Sequence, residues 1–531
     1  MTLTRSRRMG TATLVASAAL VCASMPAAVG SSAHGPRPSP GSAGLGDRLY
    51  PTLGNGGYDA LHYDLDLRYA TSAPSQGIDG TVTMRARAGK SLSRFDLDFS
   101  GASVGSVTVD GRTARFSRVG AELVITPRRP IAKHARFVVK VRHFTAEPTE
   151  PDPDQLLSTA FFITPDGSAT SGQPNAMHSV YPSNDHPRDK ASFSFRFDVP
   201  AGTTAVANGV RTGKRTQGGR TIWRYEQRQP MATELTQLAV GDFSVIRRPA
   251  VDGVGVRDVV PTRLVADYRQ KLGVERSQLR WMSRRVGAYP FDRYGTLIVD
   301  TTLGFALETQ TLSLFDTPWF TQYPRGLWDP VMLHELAHQW FGDSVAPWEW
   351  SDVWLNEGHA SWYEYTYAAP RGYLPDDAGF DTLTQLMRTV YRLGDVFRQD
   401  FGPVARPLSG DVFDVFSPQA YYGGALVLYA LRQKVGNADF RRIERAWVHR
   451  YEGRSASTQD FIRLASQVSG RDLHRFLSRW VYGTTTPAMP GHPAWTVDPA
   501  DATAGQAAGT VPGTVPGTVA GLPALRRLLR R

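Results

Sequence analysis

The stretch His334-Glu335-Leu336-Ala337-His338, followed by Glu357 within Trp354-Leu355-Asn356-Glu357-Gly358-His359-Ala360, restricts the fold more than any other part of the chain. Histidines at i and i+4 share one face of a helix, so their imidazoles stand one turn apart. Neutral imidazoles so placed can take two corners of a tetrahedral zinc site. Glu335 reaches a different edge of the same metal, where a carboxylate can take a proton from bound water. Catalytic zinc uses three protein ligands and keeps one position open, so a third ligand must come from elsewhere. Glu357 lies 19 residues after His338 (357 − 338), far enough for a turn and a second helix to bring it alongside. Asp329-Pro330 reads as the start of the first helix, an N-cap followed by proline at the first helical position, and Gly342 reads as its stop. The plainer alternative, two histidines that pack or face solvent, leaves these helix signals and the spaced glutamate unexplained.

With 531 residues the chain is too long for one core and implies two or three domains. The net charge of +11 is drawn largely from arginines at the two ends, in Arg5-Ser6-Arg7-Arg8 and Arg526-Arg527-Leu528-Leu529-Arg530-Arg531. It therefore says little about a substrate. No zinc finger, recognition helix or aromatic-basic module stands out, so no nucleic-acid partner is expected. Residues 1–30 read as an export signal: arginines, then a short apolar run from Ala12 to Ala23, then small residues with cleavage after Ala28, Gly30 or Ala33. An uncleaved membrane anchor is the competing reading. After cleavage no membrane-spanning segment is expected, and the protein would be secreted. Cys22 is the only cysteine and falls inside this leader, so the mature chain would hold no thiol.

Residues 31–48 are rich in Ser, Pro and Gly and read as a flexible lead-in. Strict alternation follows in Tyr63–Tyr69, Phe95–Phe99 and Phe193–Val199, and Val107-Thr108-Val109 enters an Asp110-Gly111 turn. These features predict an antiparallel β domain over 49–247, with one wet face to its sheets. Helical spacing sets in at Thr262–Val286, then a short strand at Thr296–Asp300 precedes the metal-binding stretch. Helices are predicted around Thr382–Leu393, Gly424–Val435, Asp460–Ala465 and Leu473–Val481. The catalytic domain is placed at 248–490. The remainder, 491–531, contains a Gly-Thr-Val-Pro repeat and reads as a disordered tail. Its arginine-leucine end is suited to weak contact with anionic surfaces, a solvated tail being the other reading.

With these motifs in view, the chain resembles the gluzincin aminopeptidases, the family of membrane alanyl aminopeptidase and leukotriene hydrolase. The resemblance spans roughly 45–490 and is strongest from His334 to Ala360. It implies a multidomain α+β fold: an N-terminal β saddle, a thermolysin-like zinc domain and a short C-terminal helical region. It implies one zinc per chain on His334, His338 and Glu357, with Glu335 as general base. The family's Gly-Ala-Met-Glu-Asn box corresponds to Phe305-Ala306-Leu307-Glu308-Thr309, in which only the Ala and Glu are kept. The resemblance gives Glu308 the substrate's α-ammonium, with Ala306 in the strand that holds the peptide, and places Gln173 beside the amine pocket. A tyrosine that stabilises the oxyanion corresponds to Tyr421, in Tyr421-Tyr422-Gly423-Gly424-Ala425, with Tyr422 the alternative. The implied activity is removal of N-terminal residues from peptides. A related endopeptidase or epoxide hydrolase, or a secreted non-catalytic module of the same fold, are the alternatives.

Overall fold

The computed structural model describes residues 37–151 and 160–497. The expected leader, Cys22 and the Gly-Thr-Val-Pro repeat lie outside the described residues. Alternation builds the first half of the chain. In Tyr58–Arg68 the side chains of Tyr63, Leu65 and Leu67 are fully buried, while Asp64 and Asp66 between them reach solvent. This strand lies inside an eight-stranded sheet in the order Val210–Gln217, Arg220–Met231, Ala191–Pro200, Tyr58–Arg68, Ile78–Ala88, Arg136–Ala146, Ser106–Val109, Arg112–Thr113. Each adjacent pair is antiparallel except one: Ala191–Pro200 runs parallel to Tyr58–Arg68, with Phe195 opposite Leu65. Period-two alternation is the same for either direction, so the sequence pattern could not reveal this pairing. The turn at Asp110-Gly111 has φ of 48° and 73°, the paired positive values that a tight hairpin needs. A four-stranded sheet containing Leu92–Asp98 shares the same apolar core.

The lead-in differs from expectation. Ser39–Pro40 pairs with the Leu92–Asp98 strand, and Ser42–Ala43 pairs with Asn55–Gly56. Small residues here serve close approach rather than flexibility: a Cβ on Gly41 would stand 2.6 Å from the Gly56 carbonyl oxygen, and Gly44 has φ of +107°.

The second half is laid on a five-stranded sheet that begins at Phe243, so the expected boundary at 247/248 cuts its first strand, Phe243–Val251. That strand forms a hairpin with Val254–Pro261, after which Thr296–Val299 and Ser313–Asp316 add in parallel. Helices Val265–Lys271 and Glu275–Val286 follow the hairpin, ending at Gly287 with φ of +122°. Ser457 and Thr382 each close a capping box at the start of Thr458–Ser469 and Leu383–Arg392. Beyond residue 490 the chain stays packed: Trp495 stacks on His492 at 4.1 Å and on Tyr429 at 6.0 Å between ring centres. Residues 491–497, placed in the expected tail, are therefore part of the packed structure, and the rest of that segment lies outside the described residues. Among the described residues no helix is long and apolar enough to cross a membrane.

Candidate metal centre and active site

The helix that carries both histidines runs Arg325–His338, starting five residues before Pro330, the expected first helical position (330 − 325). Pro330 lies inside it and removes one backbone bond. Asp329 does not act as a cap. Its carboxylate accepts from Arg325 Nε (3.1 Å), one turn back in the same helix, and from two tertiary partners that hold the extra turn in place, Gln278 Nε2 (2.8 Å) and Tyr367 Oη (3.0 Å). The helix stops at His338, and Gly342, with φ of +134°, turns the chain away.

Helix Trp354–Ala368 packs against the first and brings Glu357 to the histidines. Glu357 Oε2 lies 3.4 Å from His334 Nε2 and 3.3 Å from His338 Nε2. One donor atom from each of the three side chains falls within 4.8 Å of the others, and all three residues are buried. The far ring nitrogens are anchored: His334 Nδ1 is 2.7 Å from Glu364 Oε2, and His338 Nδ1 is 3.1 Å from the Phe341 carbonyl oxygen. With Nδ1 tied outward, both Nε2 atoms are aimed at the shared point, the arrangement that fixes the tautomer of a metal-binding histidine.

The electrostatics agree. Burial alone would raise the Glu357 carboxyl, but His338 and His334 outweigh it and hold it at about 2. Burial would lower His338, yet Glu308 and Glu357 push it up to about 9, and His334 is raised well above its usual value, chiefly by Glu357 and Glu364 against burial. A field that holds protons on two adjacent imidazoles will also hold a divalent cation in their place. The donor set of two nitrogens and one carboxylate oxygen suits zinc, and His334, His338 and Glu357 are the residues that would bind it. Beside them Glu335 is buried, and one of its carboxylate oxygens, Oε2, has no hydrogen-bond partner. Burial pushes its carboxyl up to about 8, against the pull of His334 and His338.

Glu308, almost fully buried, accepts 2.7 Å from Gln173 Nε2, although 135 positions separate them. Gln173 comes from the β half and Glu308 from the segment before the metal helix, so the pair bridges the two halves. Gln339, just past that helix, fixes the segment: its Nε2 donates to the Glu308 carbonyl oxygen (3.1 Å), and its Oε1 accepts from Thr311 N (2.8 Å) and Tyr289 Oη (3.0 Å). Leu307 is paired to Leu314 through both backbone groups, and Ala306 beside it is half-buried.

Tyr421 and Tyr422 lie in a single π-helical turn, Gln419–Gly423, ahead of helix Gly424–Val435. Tyr421 stacks on His334 at 5.9 Å, whereas Tyr422 turns away and stacks on Tyr365 at 5.9 Å. Burial and then Glu357, Glu308 and Glu335 raise the Tyr421 phenol well above its usual value, so it stays a proton donor. Two neighbours of the motif are structural. His359 is fully buried, its Nδ1 2.7 Å from the Leu355 carbonyl oxygen and its ring stacked on Phe341 at 4.3 Å. Asp352 accepts from Thr458 N and Oγ1 and does not reach the ligands. Glu364, which holds His334 Nδ1, is a supporting residue that the motif spacing does not itself name. Its position seven residues after Glu357, two turns along the same helix face, was the available signal.

Residues 59–235 match the Peptidase M1 N-terminal domain and residues 273–480 the Peptidase family M1 domain. Aminopeptidase N of Streptomyces lividans is 28% identical over 323 residues, 57% of this chain and 36% of that protein. Mouse aminopeptidase B is 25% identical over 447 residues, 76% of this chain and 65% of that protein. The chain thus spans about a third to two thirds of the length of these curated relatives. The M1 zinc metallopeptidase of Deinococcus radiodurans superposes with a TM-score of 0.73 at 30% identity, covering 84% of this chain and 99% of that one. A mutant of the same enzyme bound to a Tyr-Ser-Ala substrate gives a TM-score of 0.73 at 30% identity over 85% of this chain and 100% of that one. With both halves matched and the buried His334, His338, Glu357 cluster in place, this chain belongs to the M1 peptidase family.

Proposed function

We propose that the protein is a secreted zinc aminopeptidase that removes residues from the free N-termini of peptides. The observation that carries this reading is the buried Gln173–Glu308 pair, with Glu308 Oε1 only 3.9 Å from the His338 ring. A carboxylate in so enclosed a position pairs strongly with an ammonium group. Because it stands next to the metal ligands, a chain end can be bound and a chain interior cannot. Zinc, when bound, supplies a Lewis acid and a water that ionises near neutral pH. Glu335 takes a proton from the attacking water through its unpartnered oxygen and later hands it to the leaving amine. Tyr421 donates its hydroxyl to the oxygen on which negative charge grows, and Glu308 with Gln173 holds the substrate's α-ammonium. Ala306 and its strand lie alongside the peptide backbone. Export rests on the leader at 1–30, and its readout is the N-terminus of the protein recovered from the medium.

The deciding experiment is a panel of aminoacyl fluorogenic amides with free and acetylated N-termini. Free amides should be cleaved and acetylated ones left intact, and Glu308→Ala should erase most of that preference while keeping zinc. Equal cleavage of both series by the wild-type enzyme would point instead to endopeptidase chemistry.

A further inference from the structure

On the β half, away from the residues placed in catalysis, lies a concavity of about 380 Å³ between the Asp110-Gly111 turn and the loop that leads into strand Arg136–Ala146. Pro127 and Ile131 form buried parts of its wall, and Arg112, Arg128, Arg129 and Arg136 line its sides. From Arg112 to Arg136 the sequence holds seven arginines and lysines against a single carboxylate, Glu122. Elsewhere in the same half arginines find carboxylates: Arg87 with Asp59 at 2.9 Å, Arg196 with Asp66 at 2.5 Å, Arg220 with Asp198 at 2.5 Å. Among the described residues the four pocket arginines have no such partner. The one acidic side chain in the wall, Asp110, is already engaged, accepting 2.9 Å from Val138 N.

We propose that this pocket is an anion-binding site for phosphoryl or sulfo groups, separate from the peptide-cleaving site. Four guanidinium groups that repel one another around a cavity are relieved by an anion between them. The planar fork of arginine matches the oxygen spacing of a tetrahedral oxyanion, and two or more forks can share one group. The volume exceeds that of one such group, so the ligand carries several, either as a small polyanion or as successive units of an anionic polymer. The loop is held for this purpose by Leu92 and Ile131, whose backbones exchange bonds of 2.8 and 2.9 Å.

The test is isothermal titration of the zinc-loaded enzyme with myo-inositol hexasulfate, and separately with dextran sulfate, at about 50 mM and about 200 mM salt, where screening differs. The expected result is saturable 1:1 binding of the hexasulfate, weaker at higher salt. Affinity should fall at least tenfold in the Arg128→Ala/Arg129→Ala double variant and in Arg112→Glu, which alters a different element, while peptidase turnover stays within twofold. Much tighter binding of dextran sulfate than of the hexasulfate, lost in the same variants, assigns the site to a polymer; comparable binding assigns it to a small polyanion. No saturable binding of either probe, or equal binding by wild type and both variants, overturns the proposal.

Discussion

Glu335 holds a free carboxylate oxygen in a site where His334, His338 and Glu308 are each anchored by a second contact. A group kept without a partner in a buried place is available for a proton. Glu335→Gln should therefore lower kcat by about a thousandfold or more while metal analysis still finds one zinc per chain, since no ligand is touched. Retained turnover would remove Glu335 from the proton's path. Glu364 gives a complementary expectation. It holds His334 through Nδ1 without meeting the metal point, so Glu364→Ala should weaken zinc about 10–100-fold in chelator competition. Unchanged affinity would mean that helix packing alone orients the ring. At this scale the sequence was most legible where chemistry dictates spacing: i, i+4 histidines, and a glutamate one short connection later. It was least legible for partners distant in sequence. Nothing near Gln173 indicates that its amide meets Glu308, and only the family register placed both at one pocket.

Gly358 and Gly424 are where the two functional helices touch. A Cβ on Gly358 would stand 2.8 Å from the Gly424 backbone, and one on Gly424 would stand 2.7 Å from Gly358 Cα. Each glycine follows a working residue, Glu357 in one helix and the Tyr421 turn in the other. Their backbone contact therefore sets how closely the tyrosine approaches the ligands. Gly424→Ala must push the helices apart, which should cost about 1–3 kcal/mol in stability and depress kcat more than it changes KM. A variant with wild-type kcat would show that the turn adjusts independently of the helix. Asp47 makes a similar case from the other end of the chain. It accepts from His186 Nε2 at 3.1 Å, Trp350 N at 2.7 Å and Leu49 N at 2.7 Å, tying the lead-in and the β half to the turn before the Glu357 helix. His186 Nδ1 accepts from Arg188 N at 3.0 Å, so the ring is a neutral Nε2–H donor and Asp47 is the anion. Asp47→Ala strands these donors and should cost about 1–3 kcal/mol, read as a fall in Tm. Element types were readable from period and caps, because those are local. The start at Arg325 and the order in 37–48 depend on distant partners of Asp329 and Asp47, which no local pattern carries.

The two halves of the molecule meet across polar contacts that the separate sequence patterns do not announce. Lys190 of the β half donates to the Asp343 and Ser344 carbonyl oxygens at 2.5 and 2.8 Å, and Asn208 Nδ2 donates to the Gln310 carbonyl oxygen at 2.6 Å. Around this seam and in the β core lie carboxyls that burial keeps neutral: Glu234 is pushed up to about 8, Asp98 to about 8 and Asp189 to about 7, in each case chiefly by loss of water. Unfolding returns them to about 4. Between those values the folded state binds more protons than the unfolded one, so stability is fullest below pH of about 4 for these groups and is lost as pH rises through 7 and 8. Zinc binding works in the opposite direction, because ligand protons must leave. Wild-type Tm therefore mixes the two, and a single substitution separates them. Glu234 meets no metal ligand, has one oxygen without a partner, and is 3% exposed. Glu234→Gln keeps the shape and removes the ionisable proton. In zinc-saturated protein the Tm difference, variant minus wild type, should grow more positive from pH 5.5 to 8.5, because the variant no longer bears a carboxyl that rising pH would otherwise ionise within the seam. A difference that stays constant across that range would mean that Glu234 is ionised throughout, stabilised by the nearby Lys190 ammonium instead of by its proton.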